Sequence, residues 1–143
     1  METLDKMRFK GTFRDYQQRV LDKTEKYLKD GKINIVAAPG SGKTVLGLEI
    51  IRRIGSPCII FSPTTAIRRQ WGSRFKEMFL DNSGDFKTLF SDNLHDIKII
   101  NSVTYQALYT AVEKVSANDD DDADCSDVDI FAEIKKFGIK TIC

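Results

Sequence analysis

Histidine is almost missing from this chain of 143 residues, with His95 its single copy. Any mechanism that needs a histidine pair is excluded within the chain, and His95 reads as a surface-loop residue. Cysteine is scarce as well, with three copies at 58, 125 and 143 and no Cys-x-x-Cys spacing. That pattern gives no metal framework and fits a reducing compartment. Cys58, inside an apolar run, reads as a small buried hydrophobe. No stretch approaches the roughly 18 apolar residues of a membrane span, and the opening Met-Glu-Thr-Leu-Asp-Lys lacks the apolar centre of a signal peptide. A cytoplasmic protein with no membrane partner is the expectation.

Net charge is nearly absent too, at +1, but the total conceals a division along the chain. Residues 1–80 carry 16 Lys and Arg against 8 Asp and Glu, whereas residues 81–143 carry 6 against 13. The split points to a basic face able to meet phosphates, or to an ordinary solvated surface. Hydrophobic content of 41% and charged content of 30% place the chain among soluble globular proteins, and its length suits one domain, residues 1–143.

The richest stretch is Ala-Ala-Pro-Gly-Ser-Gly-Lys-Thr at 37–44. It reads as a phosphate-binding loop. Ala38, Pro39, Gly40, Ser41 and Gly42 let successive backbone N–H groups curl around phosphates, Lys43 reaches the outer phosphates, and the Thr44 hydroxyl is placed to ligate Mg2+. A bound nucleoside triphosphate with Mg2+ follows. Residues 32–38 form a β-type run before the loop, and Val45 to Ile54 a helical run after it, so the context is strand, loop, helix. Ala37 departs from the first glycine of the general pattern.

Elsewhere strands and helices alternate. An amphipathic helix is expected over 13–30, with Gly31 as its stop, and a buried strand over Cys58 to Phe61. A helix over 64–80 should bury Ile67, Trp71, Phe75 and Met78. A short strand near 87–90, a strand over 97–103, a helix from Thr104 to Val115, a helix from Val128 to Phe137 and a strand beginning at Ile139 complete the series. Residues 116–127, rich in aspartate, read as a solvated or disordered insertion; as a calcium loop they fail, because the turn glycine and the bidentate glutamate are absent. This order predicts an α/β domain with a mainly parallel sheet. Its strand C-terminal ends should gather the phosphate loop, Ser62 to Thr64 and Ser102 to Gln106 along one edge.

Three further motifs accompany the loop. Phe13-Arg14-Asp15-Tyr16-Gln17 is similar to an adenine motif written L-R-x-Y-Q, Ser62 to Trp71 to the motif P-T-x-x-L-x-x-Q-W, and Ser102 to Gln106 to a T-Y-Q element. Together with A-x-x-G-x-G-K-T, which explains Ala37, they make residues 10–143 resemble the first RecA-like domain of superfamily 2 helicases. The resemblance is to the branch shared with type III restriction enzyme subunits and DEAH-like DNA translocases.

The resemblance implies a RecA-like P-loop NTPase fold, incomplete at its C-terminus, and an ATP-dependent helicase or translocase acting on nucleic acid, with DNA the leading choice and RNA left open. It assigns Gln17 to adenine with Arg14 near the base, and Lys43 and Thr44 to catalysis. Pro63, Thr64, Arg68 and Thr104 fall to the nucleic-acid backbone, with Arg68 and Arg69 otherwise simply solvated. Trp71 reads as core, and Tyr105 and Gln106 as the packed start of a helix. The Asp-Glu-x-His element of that family, which holds Mg2+ and orients water, does not occur in this sequence. Neither does the second RecA-like domain with its transition-state arginine, so the chain alone is expected to be inactive. A phosphate-loop kinase or phosphotransferase, and a non-catalytic module binding nucleic acid or a partner, are the alternative readings.

Overall fold

The computed structural model describes residues 4–29, 31–117, 130–139 and 141–143. Its helices are α1 (Asp15–Leu28), α2 (Lys43–Ile54), α3 (Thr65–Phe79), α4 (Phe86–Leu89), α5 (Tyr105–Ala117) and α6 (Ile130–Phe137). The strands are β1 (Cys58–Ser62), β2 (Phe90–Ser91), β3 (Ile100–Thr104) and β4 (Thr141–Ile142). They form one all-parallel sheet in the order β2-β3-β1-β4.

The continuous apolar run of β1 is explained by burial on both faces. Cys58 and Ile60 join Val45, Leu48 and Ile51 of α2 and Phe75 and Phe79 of α3. Ile59, flanked by Phe61, joins Val103 and Ala111 on the other side, with Ile134 of α6 packed against them. Alternate residues of a strand face opposite ways, so one short strand feeds two cores. β1 and β3 pair over five residues, from Cys58 opposite Ile100 to Ser62 opposite Thr104.

Asn101, fully buried in β3, ties this ladder down. Its Nδ2 donates to the carbonyls of Cys58 (3.0 Å) and Lys98 (2.7 Å), and its Oδ1 accepts the Lys98 N–H (2.8 Å). Because Lys98 gives both peptide groups to a side chain, β3 starts at Ile100 and not at the expected residue 97.

Several expectations need correction. Residues 32–38 form no strand, although half-buried Ile33, Ile35 and Ala37 alternate with exposed Asn34, Val36 and Ala38. Ile33 and Ile35 pack in a separate cluster with Leu21 of α1 and Leu46 and Ile50 of α2. Alternation is local, whereas a strand needs a neighbour to bond to, and among the described residues this segment has none.

The stripe of α3 is also rotated. Gly72, Phe75 and Phe79 are its buried residues, Trp71 and Met78 pack partly buried on the core, and Ile67 is 39% exposed. Gly72 lets the Phe90 ring approach, since a Cβ there would lie 3.2 Å from the ring. Residues 86–89 are helical, and the strand expected near them is reduced to Phe90–Ser91. α5 runs on through Ala117. The remainder of the acidic insertion, residues 118–127, and the expected helix start at Val128 lie outside the described residues.

Helix α1 is fastened to α2 by charge. The Glu49 carboxylate, 3% exposed, receives Arg52 Nη2 at 2.6 Å and Arg53 Nε at 3.0 Å, and Arg53 Nη1 reaches the Leu21 carbonyl of α1 at 3.4 Å. Burial pushes the Glu49 carboxyl up, but hydrogen bonds and charge from both guanidinium groups outweigh it and hold the group below the ordinary glutamate value. A carboxyl whose folded value is lowered stabilises fully above its unfolded value, about 4.3. That contribution is lost as pH falls through the lower folded value. Glu49→Ala should therefore cost about 1–3 kcal/mol at pH 7, measured by urea unfolding. The difference from the parent chain should shrink towards pH 3.

A phosphate loop braced from behind

Residues 39–42 turn between the extended segment and α2. Gly40 and Gly42 sit at φ of 74° and 89°, left-handed values that cost a residue with a Cβ about 1–2 kcal/mol. A Cβ on Gly40 would meet nothing within 4 Å, but one on Gly42 would come within 2.6 Å of Gln17 Nε2. Backbone conformation alone accounts for glycine at 40. At 42 the close approach of α1 adds a second reason.

Three donors from residues 14–17 grip three consecutive loop carbonyls. Arg14 Nη1 donates to the Gly40 carbonyl at 3.3 Å, the Tyr16 hydroxyl to the Ser41 carbonyl, and Gln17 Nε2 to the Gly42 carbonyl at 3.0 Å. Gln17 Oε1 closes the arrangement by accepting the Arg14 N–H at 2.8 Å. The peptide bonds among the described residues are trans, and in a trans peptide the N–H points opposite to the carbonyl of the same unit. With the Ser41 and Gly42 carbonyls turned to α1, the N–H groups of Gly42 and Lys43 face away from it. α2 starts at Lys43 with no side-chain cap, so its first amides await an acceptor, as an anion site requires.

Lys43 is exposed, and its Nζ donates to the Ala37 carbonyl at 2.9 Å. Thr44 is half-buried beside it. Ser41 Oγ is buried without a partner, an orphaned donor inside the loop. Outward-facing amides, an orphan hydroxyl and a lysine held only by a carbonyl fit a polyphosphate. For Mg2+ the chain offers the Thr44 hydroxyl; among the described residues no group of three or more acidic, histidine or cysteine side chains could hold a metal. Mg2+ is ordinarily held by one or two carboxylates together with substrate phosphates, so the Thr44 hydroxyl would supply only part of its shell.

Gln17 makes contacts with the loop that its motif does not announce. It is 3% exposed and braces the loop, while keeping one N–H and one lone pair beyond those bonds. Tyr16 reads from sequence as part of the helix and its motif with no site role; its place beside Gln17 in the L-R-x-Y-Q motif is the available signal for its bond to the loop. Ala38 and Pro39 are exposed at the loop entrance.

The second group of residues gathers at the C-terminal ends of β1 and β3, where Ser62 and Thr104 are register partners. The Thr64 hydroxyl caps α3 by accepting the Ile67 N–H at 3.2 Å, and the Thr104 hydroxyl accepts the Ala107 N–H of α5 at 3.1 Å. Each hydroxyl keeps its own proton to donate outward. Pro63 is exposed. Arg68 is neither solvated nor plainly outward. It is half-buried, its Nε is buried without a partner, and its carbonyl accepts Ser102 Oγ at 3.1 Å. Arg69 is exposed. Tyr105 opens α5 as expected and stacks on Phe61, ring centres 5.6 Å apart, while staying 58% exposed. His95 is exposed, its main-chain N–H bonded to Asn93 Oδ1 at 2.9 Å.

An all-parallel sheet flanked by helices, with a glycine-lysine loop feeding one of them, is the arrangement of part of a RecA-like P-loop domain. More particularly, residues 10–134 match the family described as type III restriction enzyme, res subunit, and the chain belongs to it. Two curated relatives bear the name UvrABC system protein B. The one from Thermus thermophilus is 30% identical over 61 residues, 41% of this chain and 9% of the relative. The one from Staphylococcus haemolyticus is 31% identical over 72 residues, 49% of this chain and 11% of the relative. The matches thus span about a tenth of each relative's length.

The contact between Gly42 and Gln17 generates a double-mutant test. Gly42→Ala should destabilise the chain more than Gly40→Ala, by about 1 kcal/mol or more in urea unfolding, because both pay the left-handed cost and only one meets Gln17. Gln17→Ala should then cost less in the Gly42→Ala background than in the parent.

Proposed function

We propose that this chain binds ATP with Mg2+ and forms the nucleotide-binding part of a motor that couples ATP hydrolysis to movement along DNA. The observation that carries the reading is the triple grip of Arg14, Tyr16 and Gln17 on the Gly40, Ser41 and Gly42 carbonyls. It turns the loop amides away from α1 before any ligand arrives, and pre-organised donors bind without a reorganisation cost.

In this reading Ala38, Pro39, Gly40, Ser41 and Gly42 form the cradle, and Lys43 exchanges the Ala37 carbonyl for an outer phosphate. Thr44 ligates Mg2+. Arg14 and Gln17 stand between base and loop, so that adenine contact and loop geometry are linked through one amide. Mg2+ supplies charge neutralisation at the phosphates. Pro63, Thr64, Arg68 and Thr104 form the nucleic-acid edge, where outward hydroxyl protons and a helix N-terminus accept a backbone phosphate without reading sequence.

Turnover needs more than these residues. An activating carboxylate and a transition-state arginine are required by this chemistry, and we expect the 143-residue chain by itself to bind nucleotide without hydrolysing it. No helix among the described residues is long and apolar enough to cross a membrane.

Calorimetric titration of Mg-ATP tests the nucleotide site. Lys43→Ala should lower affinity at least about tenfold, or 1.4 kcal/mol, and unchanged affinity would remove the assignment. Thr104→Ala should leave ATP affinity alone and weaken binding of single-stranded DNA by roughly 1.5–3 kcal/mol, the range for a hydrogen bond to a charged group. That DNA binding should fall steeply with salt. Multiple turnover of ATP by the chain alone, abolished in Lys43→Ala, would overturn the expected lack of hydrolysis.

A further inference from the structure

The nucleic-acid edge proposed above offers phosphates two hydroxyls, a helix N-terminus and the Arg68 guanidinium, but nothing on which a base could rest. Tyr105 follows Thr104 in the chain and is the first residue of α5. A single exposed aromatic residue is ordinary on a protein surface, so its exposure of 58% decides nothing by itself. What distinguishes Tyr105 is its support.

The Tyr105 ring lies on the Phe61 ring, with centres 5.6 Å apart and planes 16° from parallel. Phe61 is itself anchored: it is the register partner of Val103 in β3, and its side chain packs on the cluster of Ile59, Leu94, Val103 and Ala111. One face of Tyr105 is thus backed by the core, while more than half of the residue stays open to solvent. The ring is ordered before any ligand arrives, and a contact made by a pre-ordered side chain costs less to form. Tyr109 is exposed to the same 58% but sits about 6 Å further along α5, one turn away from the strand ends.

The position of the ring selects its ligand. Thr104 keeps an outward hydroxyl proton one residue away, and its register partner Ser62 leads into Pro63 and Thr64. A backed aromatic face beside phosphate donors suits a single-stranded nucleic acid, with its backbone on the polar groups and an unpaired base on the ring. The bases of a duplex are already stacked and paired with one another, so they are closed to such a ring. We propose that Tyr105, backed by Phe61, is a base-stacking platform through which this edge selects unpaired over paired strands. The proposal rests on the nucleic-acid reading of Thr64 and Thr104 and adds to it the contact with a base. Every base has a face to stack, so the selection is for strand state and not for sequence.

Fluorescence anisotropy of labelled oligonucleotides titrated with the whole chain tests this. The probes are a thymidine dodecamer, an abasic dodecamer with the same phosphates, and a duplex of the same length. The parent should bind the thymidine strand at least about fivefold more tightly than the abasic one, the lower end of the range for one stacked base. Tyr105→Leu, which keeps apolar bulk without a ring, should remove that preference and lower the ratio of thymidine-strand to duplex affinity by the same factor. It should leave abasic binding and its salt dependence unchanged, because no phosphate contact is lost. Tyr105→Phe should retain the preference, and Tyr109→Ala should leave it intact. Equal affinity of the parent for the thymidine and abasic strands overturns the proposal without any variant having to fold. So does a preference that survives Tyr105→Leu, or one that Tyr109→Ala abolishes. If Thr104→Ala still weakens both strands in that case, the phosphate edge stands and only the platform falls; if the parent binds no strand at all, both fall.

Discussion

The parallel ladder between β1 and β3 is the constraint on which the other placements depend. Five register pairs, from Cys58 with Ile100 to Ser62 with Thr104, align the two strand ends from which α3 and α5 depart. Asn101 reinforces the ladder from within by holding the Cys58 carbonyl and both peptide groups of Lys98. A buried amide of this kind is costly unless it is bonded, and here three bonds satisfy it. The result is one edge that presents Pro63, Thr64 and Thr104 together.

The phosphate loop is governed by a second, independent set of bonds. A glycine-rich loop can take many shapes, and the grip from residues 14–17 selects one in which the amides of Gly42 and Lys43 face outward. This gives the adenine-like motif a mechanical role. Whatever moves Gln17 also moves the Gly42 carbonyl, so the motif at 13–17 and the loop are coupled through a single side chain. The ion cluster at Glu49 supports the same region by fixing α1 to α2 through Arg53 and the Leu21 carbonyl.

Much of this was legible beforehand. The phosphate loop, the helix after it, the buried strand at 58–61 and the Thr64 cap all follow from local patterns, because glycine positions, apolar runs and capping residues act over a few neighbours. Gln17 was legible as important but not in its task, since its motif says nothing of the carbonyl 25 positions later in the chain. Arg68, read as a solvated residue or a phosphate contact, turned out half-buried with an unpartnered Nε, a consequence of how α3 rolls over β3. Asn101 carried no signal of its own, being one of three polar residues, with Ser102 and Thr104, among the five of β3.

The sequence by itself determined the class of fold, the loop and its family, since each rests on residue types at short fixed spacings. Only the tertiary structure decided which segments entered the sheet. Residues 32–38 alternate as a strand should, and still lie outside the ladder, because strand pairing is a property of two segments and alternation a property of one.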